Sequence, residues 1–494
     1  MKLLIANRGE IATRIVKSCN KLGIIPCGVY SEADKNSVYV KSLNLALNIG
    51  GLTATDSYLR MDKVVRAAKK LGCDMIHPGY GFLAENLEFS ELCKKEDLVF
   101  VGPSPEVLEL SGDKLRAKHV ASRVAPVLVG KEVSKEDEAL KVARDIGYPV
   151  ILKAARGGGG RGLRIARSPA DISNVIDTSR KESMISFGSD QLFVEKYIEN
   201  PRHIEVQILG DKSTIIQLGE RECSVQRRHQ KLIEETPSPA LTQDTRQEIT
   251  DTAIAIMKEM KYDSAGTVEF LFKDEHFYFM EVNSRIQVEH PITEEVTGVD
   301  LVEQQLNIAS GTGLTIKQEE VKPKGHAIEC RINAEHPLSF IPFAGTIKSF
   351  SPPFDTKHVR IDTALSTGST VPPYYDSLIA KLICFGDNRF AAIERMKQSL
   401  SLFRISGIPT TIPFHLSALN DKRFIDGSYD TSFVDKLKPY STQDGEVASA
   451  ILCQLPRKIK FLINDGNSYE NAWMKSRFSE SNFDDYFSIS RWNQ

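Results

Sequence analysis

The chain has 494 residues, 41% of them hydrophobic, which is enough for two to four domains with ordinary cores. Its formal net charge of -2 gives no reason to expect nucleic acid or an anionic membrane as a partner. The eight cysteines are scattered without a Cys-x-x-Cys pair, which excludes the common zinc and redox motifs and is typical of reduced intracellular thiols.

The first 111 residues alternate between short aliphatic runs and helical stretches. Residues 3–6 and 26–30 are predicted strands, and residues 10–22 and 59–71 are predicted helices. This alternation predicts a parallel α/β unit, although its first turn lacks the multi-glycine fingerprint of a dinucleotide site. The first strand meets charge too early for a signal peptide and no run has membrane-spanning length, so we expect a cytoplasmic protein without a membrane partner.

A run of four glycines stands between two predicted strands, residues 149–153 and 162–166. Glycine leaves backbone N–H groups accessible, and the basic residues Lys153, Arg161 and Arg164 match the charge of a polyphosphate. No Walker-type loop occurs in the chain. The run predicts a lid over nucleotide phosphates, with a flexible linker as the alternative. Its glycines are Gly157, Gly158, Gly159 and Gly160.

Two further strands, residues 267–272 and 277–283, flank a polar turn and predict a hairpin. A three-residue loop would pair Lys273 with Phe277 and would place Glu269 opposite Glu281. Facing carboxylates are destabilising unless a cation lies between them, and Mg²⁺ accepts one or two carboxylates together with phosphate oxygens. Asn283 follows on the same face as Glu281 and could complete a metal site. A two-residue turn would offset the glutamates, and surface carboxylates without a metal are the alternative.

Polar residues of several kinds follow this hairpin directly. Within a few positions the chain carries the cation Arg285, the amide Gln287, the carboxylate Glu289 and the imidazole His290. Such a segment could hold a small anion while a carboxylate removes its proton. An ordinary charged loop is the alternative.

Residues 326–335 alternate in polarity and predict a half-buried strand. Arg331 lies on its polar face, where a fixed cation could stabilise developing negative charge without reorganising. A plain surface ion pair with Glu329 or Glu335 is the competing interpretation.

Together these motifs closely resemble biotin carboxylase, a member of the ATP-grasp superfamily, from Met1 to about Lys438. They follow one another in the family's order. The matching segments are residues 112–114, Lys153 with the glycine run, residues 195–203 and 222–231, Glu269, and residues 281–290.

The resemblance implies roles for individual residues in ATP binding. Lys114 and Lys153 match the lysines that reach the phosphates, and His229 matches a residue near the γ-phosphate. Glu269 and Glu281, with Asn283 assisting, match the ligands of Mg²⁺ or Mn²⁺. The remaining nucleotide contacts implied by the match are Glu195, Lys196, Ile198, His203 and Gln226.

The resemblance also implies the carboxylation chemistry. Glu289 matches the base that deprotonates bicarbonate, so that bicarbonate attacks ATP and forms carboxyphosphate. Arg331 matches the arginine that stabilises the biotin enolate, and Tyr80 matches a contact to the biotin ring. The bicarbonate-binding set implied by the match is Lys231, Arg285, Gln287, Val288 and Glu289.

The predicted architecture has three parts. Residues 1–111 form an α/β domain, residues 112–313 an ATP-grasp domain with a mobile lid at about 133–197, and residues 325–438 a mostly β domain with a helix near residues 389–402. The resemblance implies a homodimer that works with a separate biotin carboxyl carrier protein and a carboxyltransferase subunit. The final carboxyl acceptor stays open between acetyl-CoA, propionyl-CoA and pyruvate.

Two features depart from the family pattern. Arg156 stands where family members commonly have glycine. The tail 439–494 has no assignment, and Trp473-Met474-Lys475 within it lacks the surroundings of a biotinylation site. Two other functions stay open, namely another ATP-grasp ligase that forms an acyl phosphate and a non-catalytic assembly subunit.

Overall fold

The structure is a computed structural model that describes residues 1–154, 164–187, 190–353 and 357–437. The predictions for Arg156, for the glycines 157–160 and for the tail 439–494 lie outside the described residues. Within the described part of the chain, no helix combines the length and the apolar composition needed to cross a bilayer.

The predicted parallel α/β unit is confirmed. Its elements are β1 (Lys2–Ile5), α1 (Gly9–Leu22), β2 (Ile25–Tyr30), α2 (Val38–Ser42), β3 (Leu45–Asn48), α3 (Met61–Leu71), β4 (Met75–His77), α4 (Leu87–Lys95) and β5 (Val99–Phe100), with a 3₁₀ turn at Glu32–Asp34. All strand pairs are parallel, in the order β3-β2-β1-β4-β5. The order reverses between β1 and β4, so the segments that follow these two strands meet at one edge of the sheet, which is where open α/β sheets bind ligands.

Two helices connect this unit to the rest of the chain, α5 (Pro105–Gly112) and α6 (Lys114–Ala121). Asp113 caps α6 by accepting hydrogen bonds from the backbone N–H groups of Leu115 and Arg116, at 3.0 and 3.1 Å. The helix therefore begins at Lys114, and Lys118 lies one turn further along the same face.

A small antiparallel sheet carries the predicted lid region. Its elements are β6 (Gly130–Val133), α7 (Glu136–Ile146), β7 (Val150–Ala154), β8 (Arg164–Ala166), α8 (Pro169–Phe187) and β9 (Leu192–Lys196), with the strand order β6-β9-β7-β8. Val150 pairs with Ala166, which confirms that the glycine run joins one strand to its neighbour.

An eight-stranded antiparallel sheet forms the centre of the molecule. Its order is β14-β13-β10-β11-β12-β15-β20-β18, where the strands and adjoining helices are β10 (Arg202–Gly210), β11 (Ile215–Arg227), β12 (Gln230–Thr236), α9 (Gln243–Glu259), β13 (Ala265–Lys273), β14 (His276–Asn283), α10 (His290–Thr297), α11 (Leu301–Ala309), β15 (His326–Asn333), β18 (Val359–Thr363) and β20 (Leu378–Gly386). Strands β12 and β15 are direct neighbours. The proposed boundary between residues 313 and 325 therefore separates adjoining strands of one continuous sheet.

The remaining elements lie in the carboxyl-terminal half of the chain. They are the 3₁₀ turn Gln318–Glu320, β16 (Gly345–Thr346), β17 (Ser349–Ser351), β19 (Thr370–Val371), α12 (Arg389–Leu402), β21 (Arg404–Ser406), α13 (Ile412–Asn420), α14 (Lys422–Ile425) and α15 (Phe433–Lys436). The predicted helix near residues 389–402 is confirmed as α12.

Strand β10 shows how the large sheet separates its core from its polar face. Successive side chains of a strand point to opposite faces. Ile204, Val206 and Ile208 pack in an apolar core with α6 and α9. His203, Glu205 and Gln207 alternate with them, and all three are buried. The polar face of the sheet is therefore covered as well, and its charged groups must satisfy one another.

Glu235 ties β12 to the elements that follow β20. Its carboxylate accepts hydrogen bonds from Arg389 Nε at 2.7 Å and Nη2 at 2.9 Å, from His326 Nε2 at 2.6 Å, and from the Tyr429 hydroxyl. Burial alone would raise the pKa of Glu235, but the hydrogen bonds and charges of His326 and Arg389 lower it to about 2.

We predict that Glu235→Gln destabilises the fold in a pH-dependent way. Because the folded-state pKa lies below the usual value of 4.5, the carboxylate contributes about 3 kcal/mol above pH 5, and this contribution is lost as pH falls from about 4.5 toward 2. Urea unfolding from pH 7 to pH 3.5 measures it. The difference in unfolding free energy between wild type and Glu235→Gln should shrink below pH 4.5, whereas the surface variant Glu394→Gln should show no such trend. A difference that is constant over this range would contradict the assignment.

Candidate active site

The β13–β14 hairpin places Glu269 opposite Glu281, as the sequence predicts, but by a different route. The predicted three-residue loop is wrong, because Lys273 pairs with His276 across a two-residue turn. The turn residues Asp274 and Glu275 both have positive φ, 51° and 60°, which matches the twist of tight hairpins. A bulge at residue 280 then shifts the register by one residue and restores the glutamate pair.

The two glutamates of this pair contact different lysines. Glu281 Oε2 lies 2.7 Å from Lys114 Nζ, the first residue of α6. Glu269 is buried, and its Oε1 lies 3.0 Å from Lys231 Nζ while its Oε2 lies 3.0 Å from His203 Nε2. Burial alone would raise the pKa of Glu269, but Lys231 and His203 lower it well below its usual range. Glu269 is therefore ionised, as a metal ligand must be.

The donor set fits a hard divalent cation. Two carboxylates from adjacent strands face each other, and Glu281 keeps 30% of its side chain exposed toward the cleft. Asn283 donates from Nδ2 to Glu269 Oε1 at 2.8 Å, and its Oδ1 accepts from Arg285 Nη2 at 3.0 Å. In this arrangement Asn283 orients Glu269 and Arg285, so its role as a direct metal ligand stays a prediction.

Lys231 is the common partner of three carboxylates. Its Nζ lies 2.7 Å from Glu289 Oε1 and 3.0 Å from Glu269 Oε1, and it also donates to Glu205 Oε2. Burial would lower the pKa of Lys231, but the charges of these carboxylates raise it well above its usual value. The lysine is a permanent ammonium that joins the predicted base to the predicted metal ligand.

Glu289 lies at the start of α10 and is 1% exposed. Its Oε1 accepts from Lys231, and its Oε2 accepts from Arg331 Nη2 at 2.9 Å. Burial would raise the pKa of Glu289, but Lys231 and Arg331 lower it well below its usual range. The carboxylate form, which a general base requires, is present at neutral pH.

Arg331 is 16% exposed at the polar face of the sheet, and the competing interpretation of a surface ion pair with Glu329 or Glu335 is wrong, because its ion pairs are with Glu234 and Glu289. Its Nε donates to Glu234 Oε1 at 2.6 Å, in addition to its bond with Glu289. Glu335 instead accepts from Asn333 and Ser377. The strand that the alternation predicts to be half-buried is covered on both faces here, because α10 packs Ile292 and Val296 against Ala327, on the same face of β15 as Arg331. Burial raises the pKa of Glu234 to about 7, even though Arg331 opposes this.

The other predicted anion-binding residues lie around the same carboxylates. Gln287 donates from Nε2 to Glu269 Oε1 at 2.9 Å. Arg285 donates to Glu85 Oε2 at 3.0 Å. Burial alone would lower the pKa of Arg285, but the charges of Glu85 and Glu289 raise it above its usual value. The Val288 carbonyl accepts from the buried Lys381 at 2.9 Å.

Tyr80 meets Glu10 at the edge where β1 and β4 end. Its hydroxyl donates to Glu10 Oε1, and Glu10 Oε2 lies 3.1 Å from Lys381 Nζ. Burial raises the pKa of Tyr80, and the charge of Glu10 raises it further. A cavity of about 120 Å³ opens beside Tyr80, lined also by Gly81 and Asp376. Lys381 pairs with Arg331 across β15 and β20, so Glu10 and Lys381 connect the predicted biotin contact Tyr80 to the strand pair that carries Arg331.

The predicted nucleotide residues lie on, or next to, strands of the small and large sheets. Lys153 on β7 donates to Glu195 on β9 at 2.5 Å, and Lys118 on α6 donates to the same carboxylate. Burial would raise the pKa of Glu195, but the two lysines lower it. The other predicted residues here are Ile198, which is half-buried, and His203, Gln226 and His229 at the ends of β10 and β11.

Lys196 has a different set of partners from its neighbours. Its Nζ donates to the carbonyls of Gly147 and Tyr148 at 2.9 and 3.1 Å. Its side chain is therefore held by the backbone that precedes β7, and its contact with adenine stays a prediction.

Several residues of the site are not predicted by the sequence motifs. Glu205 could have been found by strand periodicity, since it lies two positions after His203 on β10. Lys118 could have been found by helix periodicity, four positions after Lys114. The residues without any local signal are Glu10, Arg221, Glu234 and Lys381.

Known families match the chain in three places. The N-terminal domain of biotin carboxylase matches residues 1–108, the ATP-binding domain of the carbamoyl-phosphate synthase L chain matches residues 113–317, and the C-terminal domain of biotin carboxylase matches residues 329–436.

Whole-chain comparisons agree. Over 441 residues the chain is 48% identical to biotin carboxylase 1 of Bacillus subtilis, covering 88% of this chain and 98% of that protein. It is similar in structure to a biotin carboxylase in complex with β,γ-ATP from Campylobacter jejuni, with a TM-score of 0.86 and 44% identity over 88% of this chain and 98% of that one.

A second structure is the biotin carboxylase domain dimer of the Hydrogenobacter thermophilus 2-oxoglutarate carboxylase with MgADP, ADP and bicarbonate. It has a TM-score of 0.86 and 44% identity over 89% of this chain and 99% of that one. The chain belongs to the biotin carboxylase family.

Proposed function

We propose that this chain carboxylates biotin on a separate carrier protein, using ATP and bicarbonate and releasing ADP and phosphate. The observation that supports this most directly is the single lysine shared by Glu289 and Glu269. It places a buried carboxylate base next to a carboxylate suited to a nucleotide-bound metal, which is the arrangement needed to deprotonate a small anion beside a γ-phosphate.

The first step uses Glu289 as the base. Bicarbonate binds between Lys231, Arg285 and Gln287, with the backbone of Val288, and its hydroxyl proton passes to Glu289. The freed oxygen attacks the γ-phosphorus, the bond to the β,γ-bridging oxygen breaks, and ADP leaves. Mg²⁺ held by Glu269 and Glu281 would neutralise the phosphate charge. Lys114 and Lys153 add two further cations for the phosphates.

The second step takes place beside Arg331 and Tyr80. Carboxyphosphate breaks down to carbon dioxide and phosphate, and the phosphate accepts the N1 proton of biotin. N1 then attacks carbon dioxide. The ureido oxygen carries negative charge during this step, and Arg331 stabilises it because Glu234 and Glu289 already hold the guanidinium in place.

The domain limits, the partners and the remaining contacts complete the proposal. Residues 1–111, 112–313 and 325–438 act as the three domains, and the chain works as a homodimer with a carrier protein and a carboxyltransferase subunit. The adenine is held by the segment from Glu195 to Ile198, and the ribose side by His203 and Gln226, with His229 near the γ-phosphate. A relative from Methanothermobacter thermautotrophicus, 46% identical to this chain, is part of a pyruvate carboxylase, so membership of the family leaves the final acceptor open.

Replacement of Glu289 by Gln should remove the base while keeping the fold. We expect bicarbonate-dependent ADP release to fall by about 10²- to 10⁴-fold, the usual contribution of a positioned base, and MgATP binding measured by calorimetry to be unchanged. Glu335→Gln, a change of another carboxylate near β15, is the matched control and should retain activity. Wild-type turnover in Glu289→Gln would refute the role of Glu289.

Replacement of Glu281 by Gln should weaken the metal site. We expect the Mg²⁺ concentration for half-maximal ATP cleavage at fixed ATP to rise about tenfold, because one of the two carboxylates is lost. Glu275→Gln in the turn of the same hairpin is the control. An unchanged magnesium titration would show that Glu281 is not a ligand.

Replacement of Arg331 by Lys should uncouple the two steps. Lysine keeps the charge but lacks the planar fork, so we expect the ratio of carboxybiotin formed to ATP cleaved, with free biotin as substrate, to fall about tenfold. Arg331 also contacts Glu289, so its replacement can slow ATP cleavage as well. The ratio separates an effect on the second step from an effect on the first. If the ratio stays at the wild-type value while the rate falls, Arg331 serves only the first step.

A further inference from the structure

Arg221 lies on β11 behind the proposed bicarbonate site. Its side chain has no exposed surface, and it is among the largest fully buried side chains of the described residues. A buried guanidinium is unfavourable unless its charge is paired and its N–H groups are satisfied. In the sequence it stands between Glu220 and Glu222 and resembles an ordinary charged strand residue.

All five N–H groups of this guanidinium have acceptors. Arginine has five donors and no acceptor, so its hydrogen bonds determine which end of each partner faces it. The partners come from β10, β13, α10 and the segment before α10. They are Glu205 Oε1 at 2.5 Å from Nε, Gln207 Oε1 at 2.7 Å and Thr293 Oγ1 at 2.9 Å from Nη1, and Thr267 Oγ1 at 3.2 Å and Gln287 Oε1 at 2.8 Å from Nη2.

The bond to Gln287 sets the direction of its amide. Because Arg221 can only donate, Gln287 must turn its oxygen toward Arg221 and its NH₂ group toward the cleft. The NH₂ group lies 2.9 Å from Glu269 Oε1, on the side of the proposed bicarbonate site. An anion that binds there therefore meets a hydrogen-bond donor rather than a carbonyl oxygen.

The bond to Glu205 sets the position of Lys231. One carboxylate oxygen of Glu205 accepts from Arg221 and the other accepts from Lys231. The carboxylate therefore holds the ammonium group at the junction of Glu269 and Glu289. Arg221 thus acts on two of the proposed bicarbonate ligands without lining the cleft itself.

We infer that Arg221 is a positioning residue for bicarbonate binding. It orients Gln287 directly, and it positions Lys231 through Glu205. This inference rests on the proposed function. It predicts that replacing Arg221 weakens bicarbonate binding more than nucleotide binding, because the proposed nucleotide contacts on β7, β9 and α6 are not among the partners of Arg221.

The test is Arg221→Lys, which keeps the positive charge beside Glu205 but supplies only three donors on a flexible stem. We expect the KM for bicarbonate in bicarbonate-dependent ATP cleavage to rise about tenfold or more, as for loss of a hydrogen bond to a charged group, while the KM for MgATP changes less than about twofold. Arg389→Lys is the matched control. Arg389 likewise donates to a buried glutamate, Glu235, and makes four hydrogen bonds in all, but Glu235 lies on the opposite face of β12 from Glu234. The control variant should lower thermal stability and leave the bicarbonate KM unchanged.

A double-mutant cycle separates positioning from a general loss of structure. In a Gln287→Ala background the fold-increase caused by Arg221→Lys should shrink by about threefold or more, because part of what Arg221 orients is gone. Equal effects in both backgrounds would overturn the inference. If Arg221→Lys does not fold, Thr293→Val is used instead, because it removes one acceptor of the guanidinium. The KM for bicarbonate should then rise by a smaller factor, and the KM for MgATP should again change less than about twofold.

The outcomes separate this inference from the proposed function. Wild-type protein without bicarbonate-dependent ATP cleavage would refute the proposed function and this inference together. Active wild type, combined with an Arg221→Lys variant whose bicarbonate KM matches that of Arg389→Lys, would overturn the inference alone. Parallel rises in the KM for bicarbonate and for MgATP would also overturn it, since they indicate a general structural role.

Discussion

The ammonium group of Lys231 is the interaction on which the rest of the site depends. It stands among the carboxylates of Glu205, Glu269 and Glu289, all of them buried. Without this cation, three buried negative charges would repel one another and would take up protons. With it, the pKa values of Glu269 and Glu289 stay well below their usual range, so one carboxylate is available to a metal and the other to a proton. The chemistry therefore begins from charges that the fold has already arranged.

The large sheet brings these charges together. Strands β10, β12, β13 and β15 each contribute residues to one polar face, while the opposite face of β10 and β13 packs in an apolar core with α6 and α9. Helix α6 carries Lys114 to Glu281 and Lys118 to Glu195, so one helix face contacts both the acidic hairpin and the strand that leads to the proposed adenine site. The polar face supports the electrostatics, and the apolar face supplies the rigidity that keeps the distances fixed.

Local patterns predict the elements well and their long-range partners poorly. The parallel N-terminal unit, the hairpin and helix α12 follow from periodicity and turn residues, which act over a few positions. The Glu269–Glu281 pair is predicted correctly, but from a wrong turn length. The turn has two residues, and the bulge at residue 280 that restores the pairing has no signature in the sequence. The sequence pattern favours partners for Arg331 on its own strand. Its actual partners, Glu234 and Glu289, come from segments 97 and 42 residues away, and only the sheet order makes them neighbours. Arg221 and Lys381 escape prediction for the same reason: a buried charged residue on a strand resembles an exposed one until its covering elements are known.

The resemblance to biotin carboxylase supplies roles that spacing alone could not, such as those of Tyr80 and Arg331. In the structure, Glu10 and Lys381 connect Tyr80 to the strand pair that carries Arg331. Bicarbonate is expected to bind against Lys231, between the base and the metal ligands, and the proposed chemistry depends on this position. A crystal structure of this protein with MgADP and bicarbonate tests it most directly. We expect a bicarbonate oxygen within hydrogen-bonding distance of Lys231 Nζ and a bicarbonate hydroxyl facing Glu289. Bicarbonate bound elsewhere, with Lys231 still enclosed by its three carboxylates, would contradict the proposed mechanism.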